Sequence, residues 1–403
     1  MKRIAAALAA ILVTATVSWG ASLSLLSGPQ YSEPSQILAT INYLITQINS
    51  GITPQTMATF STPRNILDNG QMQVQQRGTG TRTCGTTTIP TTAYAADRWG
   101  CNVNVTSGAG TLQVITTNLP ASPTFNAGMV FYRTSGALAQ PQCVMQEIAT
   151  TRVVPLQGKP VTLSVYIQGL AAMLAESTTV NAYLFTGTGT DEGLQTFTAS
   201  PAITPAWTGI ASSQTSAFTI TSSWARYTAT FNVAATATEA AIALCWTPTT
   251  GGSAGTTDGF RFTGAQLEQG SAASAFEYTQ YSHDLLIAQR YYYQINESSA
   301  IFPVAPCSAV DTTHTNCIIK TPTTMRTAPS LSFANGFASP TTTSQATLGA
   351  CTTLAAATTV TSTVGGVDSF LVNCTATTIP AAGVASFLYS NNGSGVIRAS
   401  ADF

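Results

Sequence analysis

The stretch that decides the fold is Val161-Thr-Leu-Ser-Val-Tyr-Ile-Gln168. Its aliphatic residues recur at every second position, and Thr, Ser, Tyr and Gln fill the positions between them. A period of two is typical of a half-buried β-strand, because successive side chains point to opposite faces of a sheet. The stretch therefore predicts a strand with one face in a hydrophobic core.

The same alternation recurs along the next hundred residues. It is carried by Tyr227, Phe231 and Val233, by Ile242, Leu244 and Trp246, and by Phe260 and Phe262. Gly-, Ser- and Thr-rich clusters at 186–190 and 250–255 separate these runs, and such clusters are typical of turns. Many short strands without helices between them predict an all-β chain whose main domain is a jelly-roll β-sandwich. We assign this domain to residues 64–281.

A smaller C-terminal β domain is predicted for residues 295–403. Alternation resumes at 318–319, 331–333, 370–372 and 387–389, and the chain closes with Gly395-Val-Ile-Arg-Ala-Ser-Ala-Asp-Phe403, which predicts a terminal strand. Between the two β domains, residues 282–294 begin with a Ser and an Asp that can cap a helix. These residues predict a helical junction.

The first 21 residues form a hydrophobic leader or anchor. They begin with Met1-Lys2-Arg3, continue with about 14 apolar residues and end in small residues, which is the layout of a secretory signal. An uncleaved anchor inserted in a protein partner is the alternative, and both interpretations stay open at this point.

Residues 22–63 predict a short helical docking segment. The helix starts at Ser32-Glu-Pro-Ser35, which supplies capping hydroxyls and a proline for the first turn. Its apolar residues follow at spacings of three and four and form one narrow seam: Ile37, Ile41, Leu44 and Ile48. Isoleucine at such positions favours three-stranded association, so the seam is a candidate oligomerisation site of a homotrimer. A helix that lies on its own domain is the alternative.

The composition excludes several classes of function. Only 15 basic and 16 acidic residues occur among 403, whereas a typical soluble domain is about 25% charged. A chain with so few cations has no basic patch for a nucleic acid. An apolar content of 44% is too high for a disordered polar chain.

Eight cysteines predict disulfide bonds. The even count and the local spacings suggest the pairs Cys84–Cys101, Cys307–Cys317 and Cys351–Cys374, and buried reduced cysteines are the alternative. No CxxC occurs and the chain has two histidines, so neither a metal site nor a cofactor is predicted.

The sequence does not indicate catalysis. His283 and His314 are not accompanied by a Gly-x-Ser-x-Gly motif, and no spacing singles out a pair of carboxylates. We therefore expect that the protein is not an enzyme.

The sequence offers candidates for a glycan-binding site. Glycans bind on exposed aromatic rings with amides and hydroxyls nearby. The candidate residues are Trp207, in a turn-like stretch expected to be exposed, together with Tyr291 and Tyr293.

Three segments carry a resemblance to a known family. The first is Arg64-Asn-Ile-Leu-Asp-Asn-Gly-Gln-Met-Gln-Val-Gln-Gln-Arg-Gly78, followed by Ala95-Ala-Asp-Arg-Trp99. The second is Gly264-Ala-Gln-Leu-Glu-Gln-Gly-Ser271 with Phe276-Glu277, running into Ala288-Gln-Arg-Tyr-Tyr-Tyr293. The third is Met325-Arg-Thr-Ala-Pro-Ser-Leu331. In this order they resemble bacteriophage virion proteins of the tail-fibre or head-fibre type, which contain a carbohydrate-module-like jelly roll. The resemblance implies that the first segment opens the jelly roll, the second closes it, and the third lies in the C-terminal domain.

The resemblance also implies a function. We expect a fibre or capsid-decoration protein of the virion that forms a homotrimer, contacts other capsid or tail proteins and attaches to a host cell-surface glycan. The alternative is a secreted, extracellular carbohydrate-binding protein of a bacterium, if the leader is cleaved. A polysaccharide depolymerase is a further alternative.

Overall fold

The structure is a computed structural model, and the compact unit that begins at Asn65 contains the β-sheets. It describes residues 64–84, 94–103, 110–121, 123–134, 141–193, 207–210, 212–249, 254–296, 303–334, 337–340, 348–350, 353–356, 366–375, 382–390 and 395–402. The predicted leader (1–21), the docking segment (22–63) and its seam at Ile37, Ile41, Leu44 and Ile48 lie outside the described residues. Within the described ranges, no helix combines the length and the apolar character needed to cross a membrane.

The N-terminal part of this unit is a β-sandwich. Its strands are β1 (Arg82–Thr83), β2 (Gly100–Val103), β3 (Gly110–Ile115), β4 (Gly128–Arg133), β5 (Gln142–Ile148), β6 (Pro160–Gly169), β7 (Thr179–Gly187), β8 (Ser212–Thr219), β9 (Ala225–Asn232), β10 (Glu239–Trp246) and β11 (Gly259–Gln269). One antiparallel sheet has the order β1-β3-β4-β11-β6-β9, and the other has the order β2-β5-β10-β7-β8. The all-β sandwich predicted from the alternation is confirmed.

The hydrophobic core lies between these two sheets. The aliphatic residues of the deciding stretch, in β6, are buried there, and Ile242, Leu244 and Trp246 of β10 face them from the opposite sheet. Phe260 and Phe262 of β11 are fully buried in the same core. The period of two therefore identified the inward face of each of these strands, because burial of that face is what holds the sheets together.

The C-terminal part contains two further antiparallel sheets. Their strands are β12 (Tyr292–Asn296), β13 (Pro303–Ala309), β14 (His314–Lys320), β15 (Ser330–Ala334), β16 (Phe337–Pro340), β17 (Leu348–Ala350), β18 (Thr353–Ala356), β19 (Ser369–Thr375), β20 (Ala385–Ser390) and β21 (Val396–Ser400). A three-stranded sheet has the order β12-β21-β15, and a seven-stranded sheet has the order β17-β16-β20-β13-β14-β19-β18. Ile397 and Ala399 belong to the core that these strands share.

Short helices connect the strands. They are α1 (Thr150–Val153), which continues into a 3-10 turn at Val154–Leu156, α2 (Ala171–Glu176) and α3 (Tyr281–Gln289). The predicted helical junction at 282–294 is too long, because α3 ends at Gln289 and β12 begins at Tyr292. Aromatic residues fit a pleated strand, and the terminal strand β21 pairs with β12 along its whole length.

Disulfide bonds occur within the sandwich and within the C-terminal part. Cys84–Cys101 and Cys307–Cys317 are bonded, as the local spacings suggested. The bond between Cys143 and Cys245 was not suggested, because 102 residues separate the two cysteines and only the pairing of β5 with β10 makes them direct neighbours. Cys374 is also disulfide-bonded, and Cys351, its predicted partner, lies outside the described residues.

Candidate functional site

Hydrogen bonds from Asn65 and Gln73 connect the start of the sandwich to its last strand and to the residues that follow it. The backbone N–H of Asn65 donates to the Glu277 carboxylate at 2.9 Å, and its side-chain Nδ2 donates to the carbonyl of Ala265 at 3.0 Å. Gln73 Nε2 donates to the carboxylate of Asp284 in α3 at 2.9 Å. The first two resemblance segments therefore meet in space and serve as a scaffold.

Arg77 connects the same region to the C-terminal sheet. Its guanidinium lies 3.6 Å from the ring centroid of Tyr292 and 4.8 Å from that of Tyr94. It forms ion pairs with Asp402, near the end of the chain, and with Asp97, at 3.6 Å. Burial raises the pKa of Asp97 to about 6, although the nearby Arg77 charge opposes this shift. The positive charge of Arg77 is thus largely neutralised from inside the protein.

A cavity of about 660 Å³ lies beside Arg77. Its floor is one face of the three-stranded sheet β12-β21-β15, whose other face packs into the C-terminal core. Cross-strand pairing arranges the floor in rows, and the middle row consists of Gln294, Arg398 and Ser332. The next row consists of Tyr292, Ser400 and Ser330. We call this arrangement the polar floor.

The opposite wall comes from the segment that leads into β1. It contributes Gln76, Arg77, Gly78 and Arg82. Gly78 has a φ of 87°, a left-handed conformation that glycine adopts at little cost, and it turns the chain at this wall. The Arg82 guanidinium donates to the backbone carbonyls of Arg77, Gly78 and Tyr94.

Arg398 occupies the centre of the polar floor. It is half-buried, and none of the other described residues forms a hydrogen bond or an ion pair with its guanidinium. Of the described residues that line the cavity, three are arginines and none is acidic. Guanidinium, amide and hydroxyl groups that converge on one cavity can bind a polyhydroxylated ligand and can also hold an anion.

The predicted aromatic site residues lie elsewhere. Trp207 is only 7% exposed and packs against the face of the five-stranded sheet that points away from the sandwich core, so its predicted exposure is wrong. The reason is tertiary: its Nε1 donates to the carbonyl of Gly193 at 3.2 Å, and this contact holds the ring against the sheet. Tyr291 is also buried, with the Arg98 guanidinium 3.7 Å from its ring centroid.

Tyr293 is half-buried and packs against the C-terminal core, and its neighbour Tyr292 lines the cavity. Sequence reasoning missed Gln294, Ser332 and Arg398 of the polar floor. The alternation of apolar and polar residues in these strands could have identified them. Ile295 and Ile397 indicate that odd-numbered residues face the core, so the even-numbered residues lie on the opposite face of the sheet.

A second group of polar contacts surrounds the carboxyl of Glu239. This side chain is 2% exposed and accepts hydrogen bonds from the backbone N–H groups of Gly189, at 3.2 Å, and Glu192, at 2.8 Å. Burial raises its pKa to about 7. Hydrogen bonds from Thr208 lower the pKa of the Glu192 carboxyl. The two carboxyls fasten the loop after β7 to the segment that contains Trp207.

The two histidines lie in local contacts with aspartates. His314 Nδ1 lies 2.8 Å from Asp311, in the turn between β13 and β14, and His283 Nδ1 lies 3.7 Å from the adjacent Asp284. The hydrogen bond that the backbone N–H of Thr313 donates to the Asp311 carboxylate is the main reason why the pKa of Asp311 is lowered to about 2. These contacts shape a turn and the start of a helix.

No family model and no curated protein matches the chain. Among solved structures, it is similar to the enzymatically active domain of tailspike protein 4 of bacteriophage CBA120, at 13% identity and a TM-score of 0.31, over 51% of this chain and 21% of that one. It is also similar to TmCBM61, solved with β-1,4-galactotriose, at 12% identity and a TM-score of 0.27, over 51% of this chain and 99% of that one. The CBM22-1 xylan-binding domain of Paenibacillus barcinonensis Xyn10C gives 12% identity and a TM-score of 0.24, over 50% of this chain and 99% of that one. All three TM-scores are low.

Proposed function

We propose that this chain is a non-enzymatic structural protein of a bacteriophage particle, of the fibre or decoration type, which attaches to a host-surface glycan. The polar floor is the observation that carries the glycan-binding part. Its amides, hydroxyls and guanidinium offer donors and acceptors to a polyhydroxylated ligand, with a cavity of about 660 Å³ above them.

The resemblance segments support the particle part of the proposal. Their side chains join the two ends of the sandwich and connect the sandwich to the C-terminal sheet, through Asn65, Gln73 and Arg77. The assembly is a homotrimer that contacts other capsid or tail proteins.

Glycan binding is tested by placing a bulky side chain on the polar floor. Ser332→Leu fills the space beside Arg398, and we expect at least a tenfold loss of affinity on an array of host-surface glycans, with an unchanged melting temperature. Ser308→Leu, on the exposed face of β13, is the matched control and should bind as the wild type does. Equal glycan binding by the two variants would show that the polar floor is not the glycan-binding site.

Particle association is tested by mass spectrometry of purified particles and by light scattering of the isolated chain. We expect the chain in the particles and a mass three times that of one chain in solution. Absence of the chain from the particles would overturn this part of the proposal.

A second candidate is a secreted bacterial carbohydrate-binding protein, and the disulfide bonds favour it. Cys84–Cys101, Cys143–Cys245 and Cys307–Cys317 are all bonded, and such bonds persist mainly in oxidising compartments. N-terminal sequencing of the native protein separates the candidates, since a start near Ser22 supports export and a start at Met1 supports an anchor in the particle. Release of reducing ends from host polysaccharide would instead support a depolymerase.

A further inference from the structure

We infer that the cavity binds the acidic unit of a saccharide and that the Arg398 guanidinium holds the carboxylate of that unit. The inference rests on the proposed glycan-binding function and names the class of glycan. It follows from the surroundings of the Arg398 guanidinium, which has neither a carboxylate nor a hydrogen-bond acceptor among the described residues.

Several other arginines of the described residues have either a carboxylate or a neutral hydrogen-bond acceptor, as Arg226 has in Ser164 and Arg261 has in Gln168. Arg98 and Arg152 pair with Asp68, Arg133 pairs with Glu176 and Asp258, and Arg326 pairs with Asp191. Arg77, at the wall of the cavity, has Asp97 and Asp402. Arg398 differs from both kinds, because no described residue bonds its guanidinium and its cross-strand neighbours are the neutral Gln294 and Ser332.

A half-buried guanidinium without a counter-charge or a hydrogen-bond acceptor is unfavourable, because burial weakens its solvation and nothing replaces the lost interaction. A bound carboxylate would supply that interaction. The guanidinium is planar and presents parallel N–H donors that match the two oxygens of a carboxylate.

The wall opposite adds to the positive potential. Arg82 donates only to backbone carbonyls in the described residues, so no carboxylate there neutralises its charge. Among the described residues, three arginines line the cavity and two aspartates pair with one of them, so the net charge around the cavity is positive. The amide of Gln294 and the hydroxyl of Ser332 flank Arg398 and can bond the ring hydroxyls next to the carboxylate.

The test uses the full chain and isothermal titration with oligosaccharides that contain glucuronate, galacturonate or sialic acid. Each is compared with its methyl ester, which keeps the shape of the sugar and removes the charge. We expect at least one acid form to bind tenfold or more tightly than its ester. Arg398→Gln should abolish this preference, and Arg398→Lys should retain part of it, because lysine keeps the charge and lacks the planar pair of donors.

Arg261→Gln is the matched control, since Arg261 is a half-buried arginine of β11 that bonds Gln168 and does not line the cavity. It should leave the preference for the acid unchanged. Inorganic phosphate should compete poorly with the preferred acidic saccharide, and equal competition would overturn the assignment to a saccharide.

The possible failures are distinguishable. Equal affinity for the acid forms and for their esters or neutral glycans, or a preference for acid that survives Arg398→Gln, would overturn this inference and leave the proposed glycan binding intact. Absence of binding to every acidic and neutral glycan of the array would overturn the proposed function itself.

Discussion

Glu239 is a carboxyl whose surroundings determine when it carries a charge. It is 2% exposed, and its pKa is raised from 4.5 to about 7 by burial, with the Glu192 carboxyl beside it. The folded state therefore binds this proton more tightly than the unfolded state does. By linkage, the stability that the proton contributes is present at low pH and is lost as the pH rises from about 4.5 to about 7.

Glu239→Gln should reduce this pH dependence. Between pH 5 and pH 8 we expect the free energy of unfolding of the wild type to fall by roughly 2–3 kcal/mol more than that of the variant, because the amide does not titrate. Asp97, whose pKa is raised to about 6, lowers stability over part of the same range in both proteins, so the difference isolates Glu239. Urea unfolding at each pH measures the free energy of unfolding of both proteins.

The matched control is Asp368→Asn, which changes an exposed carboxyl. Between pH 5 and pH 8 its free energy of unfolding should fall as much as that of the wild type. If Glu239→Gln shows the same fall as Asp368→Asn, burial of Glu239 does not control its charge.

At the scale of elements, β5 and β10 of the five-stranded sheet are buried on both faces. Every residue of both strands is buried, and Cys143 and Cys245 are paired directly across them. The disulfide closes a loop of 102 residues, whereas Cys307–Cys317 closes one of 10. Both bonds join neighbouring antiparallel strands, so they differ mainly in the length of chain that they constrain.

Replacing each pair of cysteines by alanine should therefore have unequal effects. The loop-closure entropy of the unfolded chain predicts a loss of roughly 4–5 kcal/mol for Cys143→Ala with Cys245→Ala, and of roughly 2–3 kcal/mol for Cys307→Ala with Cys317→Ala. The free energy of unfolding in urea under non-reducing conditions measures both. A larger loss from the shorter loop would contradict this explanation.

At the scale of the whole molecule, a few polar contacts hold the sandwich and the C-terminal sheet together. Arg77 pairs with Asp402, and Gln76 Nε2 donates to the carbonyl of Tyr292 at 2.7 Å. Arg326, from the third resemblance segment, donates to the carbonyls of Ala401, at 2.9 Å, and Asp402, at 2.8 Å. The last residues of the chain therefore tie the terminal strand β21 to the first segment of the sandwich.

Asp402→Asn should loosen this connection. Removing the charge leaves Arg77 with Asp97 as its remaining carboxylate, and we expect a loss of about 2 kcal/mol in the free energy of unfolding. Hydrogen exchange should become faster in β12 and β21 and stay unchanged in β6 and β11. Unchanged exchange in β12 and β21 would show that Asp402 does not couple the two parts.

Local patterns in the sequence determined the secondary structure and the main core. The alternation in Val161–Ile167 predicted both a strand and its buried face, because neighbouring residues of a strand always point to opposite sides. The disulfides Cys84–Cys101 and Cys307–Cys317 could be suggested for a similar reason, since cysteines close in sequence meet when the chain between them makes one turn. The boundary between α3 and β12 was misplaced, because the partner strand that extends Tyr292–Asn296 comes from the end of the chain.

The tertiary structure brought the residues of the candidate site together. Arg82 and Arg398 stand at opposite ends of the described chain, and they face one cavity only because β21 pairs between β12 and β15 beneath the segment that leads into β1. The same holds for Cys143 with Cys245 and for the buried position of Trp207. Alternation records which side of a strand is apolar, but the pairing of distant strands depends on how all the apolar faces pack at once. For this reason the sequence determined the sheets and their buried faces, and only the packed fold brought the charged and polar residues of the cavity together.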